Sequence, residues 1–264
     1  MYPISLSLTI YVSDLSLSLS NSLSLSNYLC IRMPTDHCPY CVRVELALGW
    51  KNISYEREVY GYGDSMGDEK KGLYFGGKST IRKKVLPVLE ISGRKPSPYM
   101  NESGTIVAFL EGLGGPTITP QLLPSGDNRT DLRDFLKSDG RFKICQRILT
   151  RPLVIEMTHL KDWAKVEDVK YAVDKYEGQG WSYKDAEKKQ AEALLEMETL
   201  LKELDSMLVS DEYASRNDSY TWDDIVLVPE LRTLSCAPHL KWPKRVKTYL
   251  TTALKRGGVS SYFD

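Results

Sequence analysis

Six consecutive residues, Asp36-His37-Cys38-Pro39-Tyr40-Cys41, hold the side chains best suited to covalent chemistry in this chain. Two thiols three positions apart can cycle between dithiol and disulfide if they sit one helical turn from each other, passing through a mixed disulfide with substrate. Only a thiolate attacks a disulfide. A cysteine at the start of a helix is the one whose ionised form is stabilised, because the first main-chain N–H groups have no partner and carry partial positive charge. Pro39 supports that placement: its missing N–H would have gone unused in the first turn, and its fixed φ preorganises the turn. Cys38 is therefore the attacking thiol and Cys41 the resolving one. His37 either tunes Cys38 electrostatically or points away from it. The competing structural reading is a zinc half-site, which needs two more ligands at comparable spacing. Cys30, Cys145 and Cys236 are isolated, and His159 and His239 fall in unrelated helical patterns.

The elements around the motif should place Cys38 between a strand and a helix. The apolar run Tyr28-Leu29-Cys30-Ile31 suits a buried first strand that Pro34 ends, although Arg32-Met33-Pro34-Thr35 lengthens the approach to Asp36. From Val42 to Trp50, apolar residues at Val44, Ala47 and Leu48 have helical spacing, with Gly49 near the end. A second strand is expected around Ile53 to Tyr60. A long Gly- and Tyr-rich surface loop follows over Gly61 to Gly77, of a length that is often functional. Val85 to Ile91 and Ser97 to Met100 read as a hairpin, and Ser103 to Leu110 as a helix. The α/β unit, residues 28–115, closes at Gly112 to Gly115.

Residues 116–127 hold Pro116, Pro120, Pro124 and Gly126 and read as a linker. Residues 128–264 are helical in pattern. Leu194, Met197, Leu201, Leu204 and Leu208 form a packing stripe within Lys184 to Leu208. Thr221-Trp222-Asp223-Asp224 matches a capping box ahead of Ile225, with Tyr220 and Ile225 placed as its hydrophobic staple. Two domains suit a chain of 264 residues. The 35 basic and 35 acidic residues cancel, so overall charge recruits neither nucleic acid nor an anionic membrane. No run nears the roughly 18 apolar residues of a membrane helix. Five cysteines without dense spacing argue for a reducing compartment rather than a secreted disulfide scaffold.

Residues 1–27 stand apart as a Ser-Leu leader. No Lys or Arg precedes Arg32, whereas transit peptides are Arg-rich and secretory signals begin basic. A CT dinucleotide repeat translates as Leu-Ser repeated, so the leader reads best as repeat DNA taken into the coding region. A low-complexity segment of this kind is not expected to join the fold.

Several separated motifs together resemble one family. Cys38-Pro39-Tyr40-Cys41 followed by a helix to Trp50 resembles the glutaredoxins, specifically their two-domain, glutathione-transferase-like class. Val85-Leu86-Pro87-Val88-Leu89 resembles that family's cis-proline segment, and Tyr99-Met100-Asn101-Glu102-Ser103 its Glu-Ser pair opening a helix. Trp222-Asp223-Asp224-Ile225, Pro229, Leu231-Arg232 and Trp242-Pro243-Lys244-Arg245-Val246 are similar to its C-terminal domain. The resemblance covers Tyr28 to the C-terminus. The Gly61 to Gly77 loop is longer and more aromatic than the family's.

The resemblance implies a thioredoxin-like α/β domain followed by an all-α domain. It implies glutathione as cosubstrate, with no metal or prosthetic group, and disulfide-containing or glutathionylated proteins as partners. It places Tyr40, Lys84, Leu86, Pro87, Glu102 and Ser103 in the glutathione site. The Leu86 backbone would pair with the cysteinyl unit, Glu102 would hold the α-ammonium, the Ser103 N–H the γ-glutamyl carboxylate and Lys84 the glycyl carboxylate. Each also has an ordinary reading: Pro87 at a strand edge, Glu102 and Ser103 as a helix cap, Lys84 as a solvated charge. A monomer in the cytoplasm is expected, or in an organelle if the leader is a targeting peptide. Three rivals share the scaffold: a conjugating glutathione transferase or dehydroascorbate reductase, a binding protein with a redox-sensitive switch, and an iron-sulfur-sharing glutaredoxin, against which the stiffening effect of Pro39 argues.

Overall fold

The computed structural model describes residues 29–33, 38–59, 87–91, 99–113, 122, 129–156 and 166–263. The expectations for the leader, the Gly61 to Gly77 loop, His37, Lys84 and Leu86 lie outside these residues. Within them the chain forms a four-stranded sheet with helices and then a helical domain. Strand β1 (Leu29–Met33) leads to α1 (Pro39–Trp50) and β2 (Glu56–Val59); β3 (Val88–Ile91) and β4 (Tyr99–Asn101) precede α2 (Ser103–Glu111). The sheet order is β2-β1-β3-β4. β1 runs parallel to β2, as a crossover through a helix requires. The pairs β1–β3 and β3–β4 are antiparallel.

The helical domain comprises α3 (Thr130–Phe135), α4 (Arg141–Glu156), α5 (Val166–Glu177), α6 (Tyr183–Met207), α7 (Trp222–Leu234) and α8 (Lys244–Arg256). Met197, Leu201, Leu204 and Leu208 are buried as the stripe predicts, with Leu194 half-buried. The capping box of α7 is formed: Asp224 accepts from the Thr221 N–H and hydroxyl, both at 2.7 Å. Asp224 also accepts from the Ala214 N–H and the Tyr249 hydroxyl, each at 2.8 Å, and so ties α7 to α8. Tyr220 stacks on Trp50 of α1, ring centres 4.0 Å apart.

Two features of α1 differ from its sequence pattern. Its burial extends almost all round, from Cys41 and Val42 to Leu46 and Trp50, because α2 packs on it from its own domain and α7 and α8 from the other. Its end is also later than Gly49 suggests. The Asn52 N–H bonds to the Gly49 carbonyl and the Ile53 N–H to the Leu48 carbonyl, a Schellman ending with Asn52 at φ 56° in place of glycine. That ending takes up Ile53, and β2 starts at Glu56 rather than at Ile53. Gly49 has another duty: a Cβ there would lie 2.2 Å from the Gly257 carbonyl oxygen, so the backbones of α1 and the end of α8 touch directly. The Trp50 indole N–H donates to the Ala253 carbonyl at 3.0 Å across the same contact. Leu122, in the segment read as linker, is buried and donates its N–H to the Glu111 carboxylate.

Candidate active site

The helix α1 begins at Pro39, which puts Cys38 at its N-cap with extended backbone, φ −74° and ψ 112°. The Cys38 carbonyl accepts from the N–H groups of Cys41 and Val42, each at 3.0 Å, which closes the first turn and brings the two cysteines together. Both are free thiols and both are buried, Cys38 at 7% exposure and Cys41 at 0%. Tyr40 between them is 54% exposed, with the Arg43 guanidinium 5.1 Å from its ring centre.

The two thiols are electrostatically unequal. Cys38 is held below its ordinary value chiefly by the Cys41 thiol, which donates to it; burial opposes, and the N–H groups of Cys41 and Tyr40 and the Lys175 ammonium add to the lowering. Cys41 is pushed well above its ordinary value, first by burial, then by donating to Cys38, by the Cys38 charge and by Glu45. One thiol is thus the easier to ionise, and the other holds the proton that favours its thiolate.

The strand register brings Pro87, Glu102 and Ser103 to the same end of the sheet. Arg32 pairs with Val88, and Val88 with Asn101. Extending those ladders by one residue sets Pro87 beside Met33 and opposite Glu102. Cys38 follows the same end of β1, and Ser103 opens α2 there. Pro87 is buried, Ser103 is buried and Glu102 is exposed. Glu102 has φ 67° and ψ 109°, a left-handed backbone that a non-glycine residue adopts at a cost of about 1–3 kcal/mol and that tends to mark ligand sites. Its side chain makes no cap to α2; the first turn is closed instead by the Ile106 N–H on the Glu102 carbonyl at 2.9 Å. The helix-cap reading of the pair is thus not what the side chains do. Open space lies beside Gly104, and the first amides of α2 have no helical acceptor.

Two side chains escaped the sequence reading. Glu45, four residues after Cys41, is buried and pushed up to about 7 by burial, against Arg232 and the Tyr55 hydroxyl. The Tyr55 hydroxyl and the Arg57 Nε lie 3.4 Å from its carboxylate. Its spacing from Cys41 was visible in the sequence. Lys175 comes from α5 of the other domain, and no local pattern marks it. Among the described residues no group of three or more metal-ligating side chains converges.

Residues 141–264 match the family profile of the Glutaredoxin 2 C-terminal domain, and residues 37–113 that of the glutathione S-transferase N-terminal domain. The chain belongs to the glutathione-transferase-like glutaredoxins. Glutaredoxin 2 of Escherichia coli is 26% identical over 222 residues, which span 84% of this chain and 92% of that protein. Among solved structures, Glutaredoxin 2 of Salmonella typhimurium in complex with glutathione shares the fold with a TM-score of 0.72 at 24% identity, covering 90% of this chain and 98% of its own. A glutathione transferase of Phanerochaete chrysosporium shares it with a TM-score of 0.62 at 15% identity, covering 87% and 97%. The expected thioredoxin-like domain followed by an all-α domain is the glutaredoxin architecture found here.

Proposed function

We propose that this protein is a glutathione-dependent thiol-disulfide oxidoreductase that reduces protein-glutathione mixed disulfides and protein disulfides. The unequal pair of thiols at the start of α1 carries the reading: a lowered Cys38 receives a hydrogen bond from a Cys41 that holds its proton. The Cys38 thiolate attacks the glutathionyl sulfur of a mixed disulfide, a Cys38–glutathione disulfide forms, and the protein thiolate leaves and takes a proton from solvent. A glutathione thiolate then attacks the glutathionyl sulfur, releasing glutathione disulfide and restoring Cys38. On a protein disulfide, Cys38 forms the mixed disulfide and Cys41, once deprotonated, attacks the Cys38 sulfur. Two glutathiones reduce the resulting Cys38–Cys41 disulfide.

Glutathione would lie along the sheet end described above. Glu102 is set to hold the α-ammonium, and the amides of Ser103 and its successors the γ-glutamyl carboxylate. Tyr40 and Pro87 border the same space, while Lys84 and Leu86 complete the set that the resemblance implies. A monomer working in a reducing compartment fits this chemistry.

The test is a pair of variants. Cys38→Ser should abolish every activity, since a hydroxyl is not ionised near neutral pH. Cys41→Ser should keep deglutathionylation and lose most dithiol reduction. Retained activity in Cys38→Ser, or aryl conjugation as the main glutathione-dependent reaction, would overturn the reading.

A further inference from the structure

Arg151 and Lys175, which have no acidic partner among the described residues, gather about one aromatic pair. Arg151, late in α4, lays its guanidinium 4.1 Å from the ring centre of Tyr176 and 4.5 Å from that of Trp181. Tyr176 stands in the last turn of α5 and Trp181 in the turn that follows. The Lys175 ammonium lies 5.8 Å from the Tyr176 ring centre. Neither Arg151 nor Lys175 forms an ion pair among the described residues. Burial lowers Arg151 below its ordinary value, and the groups acting on its charge are Tyr176, Arg147 and Tyr183, none of them a carboxylate. The Trp181 Nε1 and the Tyr183 hydroxyl are buried near it without an acceptor among the described residues.

Two members of this cluster lie near enough to Cys38 to act on or feel its charge. The Lys175 ammonium helps to lower Cys38, and the Tyr176 phenol, raised chiefly by burial, is raised further by the Cys38 charge. The glutathionyl half of a substrate disulfide is assigned to the sheet end beside α2, in the thioredoxin-like domain. The other half, which leaves as a thiolate, then departs along what the helical domain sets against Cys38.

We propose that the end of α5 and the turn after it form a carboxylate-recognising wall for the leaving half of the disulfide, with Lys175 as the charge at its rim and Arg151, stacked between Tyr176 and Trp181, as the charge behind it. The inference rests on the glutathione-dependent reading and adds a substrate class: disulfides whose leaving sulfur is flanked by a carboxylate, carried by an acidic polypeptide or by a second glutathionyl unit. In the step concerned, the Cys38–sulfur bond forms, the bond to the leaving sulfur breaks with its electron pair, and solvent protonates the leaving thiolate. Lys175 favours that developing charge as well as the carboxylate beside it.

The experiment follows release of the leaving thiol from three disulfides by the reduced full chain. Two are glutathionylated peptides differing only in Glu or Gln beside the cysteine, and the third is glutathione disulfide. An exposed charge pair is worth up to about a fivefold rate preference, so the Glu peptide should react up to about fivefold faster than the Gln peptide, less so in high salt. Lys175→Arg should keep that preference and Lys175→Glu should reverse it. If the carboxylate belongs to a second glutathionyl unit, Lys175→Glu should instead slow glutathione disulfide relative to the Gln peptide. A lysine that acted only on Cys38 ionisation would slow all three alike, and unchanged ratios in Lys175→Glu would overturn the wall. No reaction with any of the three would overturn the underlying reading itself.

Discussion

The hydrogen bond from Cys41 is the largest influence lowering Cys38, so deleting that donor tests the unequal thiols most directly. Cys41→Ala leaves Pro39, the helix N-terminus and Lys175 in place. A hydrogen bond to a charged group contributes about 1.5–3 kcal/mol net, which converts to a thiolate population about tenfold to a hundredfold smaller at any pH below the thiol's titration. The reaction rate should fall by less. A more basic thiolate is a better nucleophile, with a Brønsted slope of about 0.4–0.5, so the net loss of rate toward a small disulfide is about three- to tenfold. Thiolate absorbance against pH gives the first quantity, and stopped-flow kinetics with the small disulfide the second. Cys41→Ser should fall between native and Ala, because its hydroxyl still donates. If native and Cys41→Ala titrate together while both remain folded, the hydrogen bond does not ionise Cys38, and the helix N-terminus with Lys175 must do so alone.

Three further outcomes follow from the same structure. Burial pushes the Glu45 carboxyl up to about 7 from its ordinary 4.5. A raised carboxyl gives stability that is fully present below the unfolded value and lost as pH rises through the folded one, here about 3 kcal/mol across that window. Glu45→Gln should flatten this slope in denaturant melts taken at successive pH values, and parallel curves would exclude Glu45 as its source. Gly49→Ala forces a methyl group against the Gly257 backbone, where neither side can yield by rotating a side chain. It should cost about 1–3 kcal/mol in unfolding free energy, and an unchanged midpoint would show that α1 and α8 are not tightly apposed. Glu102→Gln removes a charged hydrogen bond worth about 1.5–3 kcal/mol, so the Michaelis constant for glutathione should rise about tenfold or more. An unchanged constant removes Glu102 from the site.

What the sequence made legible was whatever depends on neighbours along the chain. The Cys38-Pro39-Tyr40-Cys41 turn, the α7 capping box and the Leu-Met stripe of α6 are local patterns, and each is present as read. Long-range partners were not legible. The pattern of α1 shows one apolar face because local periodicity cannot register that a second domain covers the other. Gly49 read as a helix end because glycine commonly serves there, whereas close approach to Gly257, over two hundred residues away, leaves no room for a side chain and Asn52 takes the left-handed position. Lys175 sits in a polar helical stretch like many solvated charges, and only the docking of α5 beside Cys38 gives it chemical consequence. The strained backbone of Glu102 is likewise invisible in the residue type.

The unequal treatment of the two ends of α1 connects the fold to the chemistry. Its C-terminal end is fixed by the Trp50–Ala253 hydrogen bond, the Trp50–Tyr220 stack and the Gly49–Gly257 contact, while Asp224 in turn joins the segment carrying Tyr220 to α8. Midway, Arg43 lies 3.8 Å from Glu230 of α7, a buried carboxylate that also pairs with Lys143 of α4 and accepts from Gln146 at 3.2 Å. These contacts hold the helix in a defined position without occupying its N-terminal amides. The first turn is left to the thiols, so the dipole and main-chain N–H groups that favour the Cys38 thiolate remain available to it. The helical domain therefore does two things at once: it clamps the far end of α1, and through Lys175 it adds a charge that helps to lower Cys38 at the near end. A thioredoxin-like unit alone would have Cys38 and Cys41 but neither the clamp nor that charge.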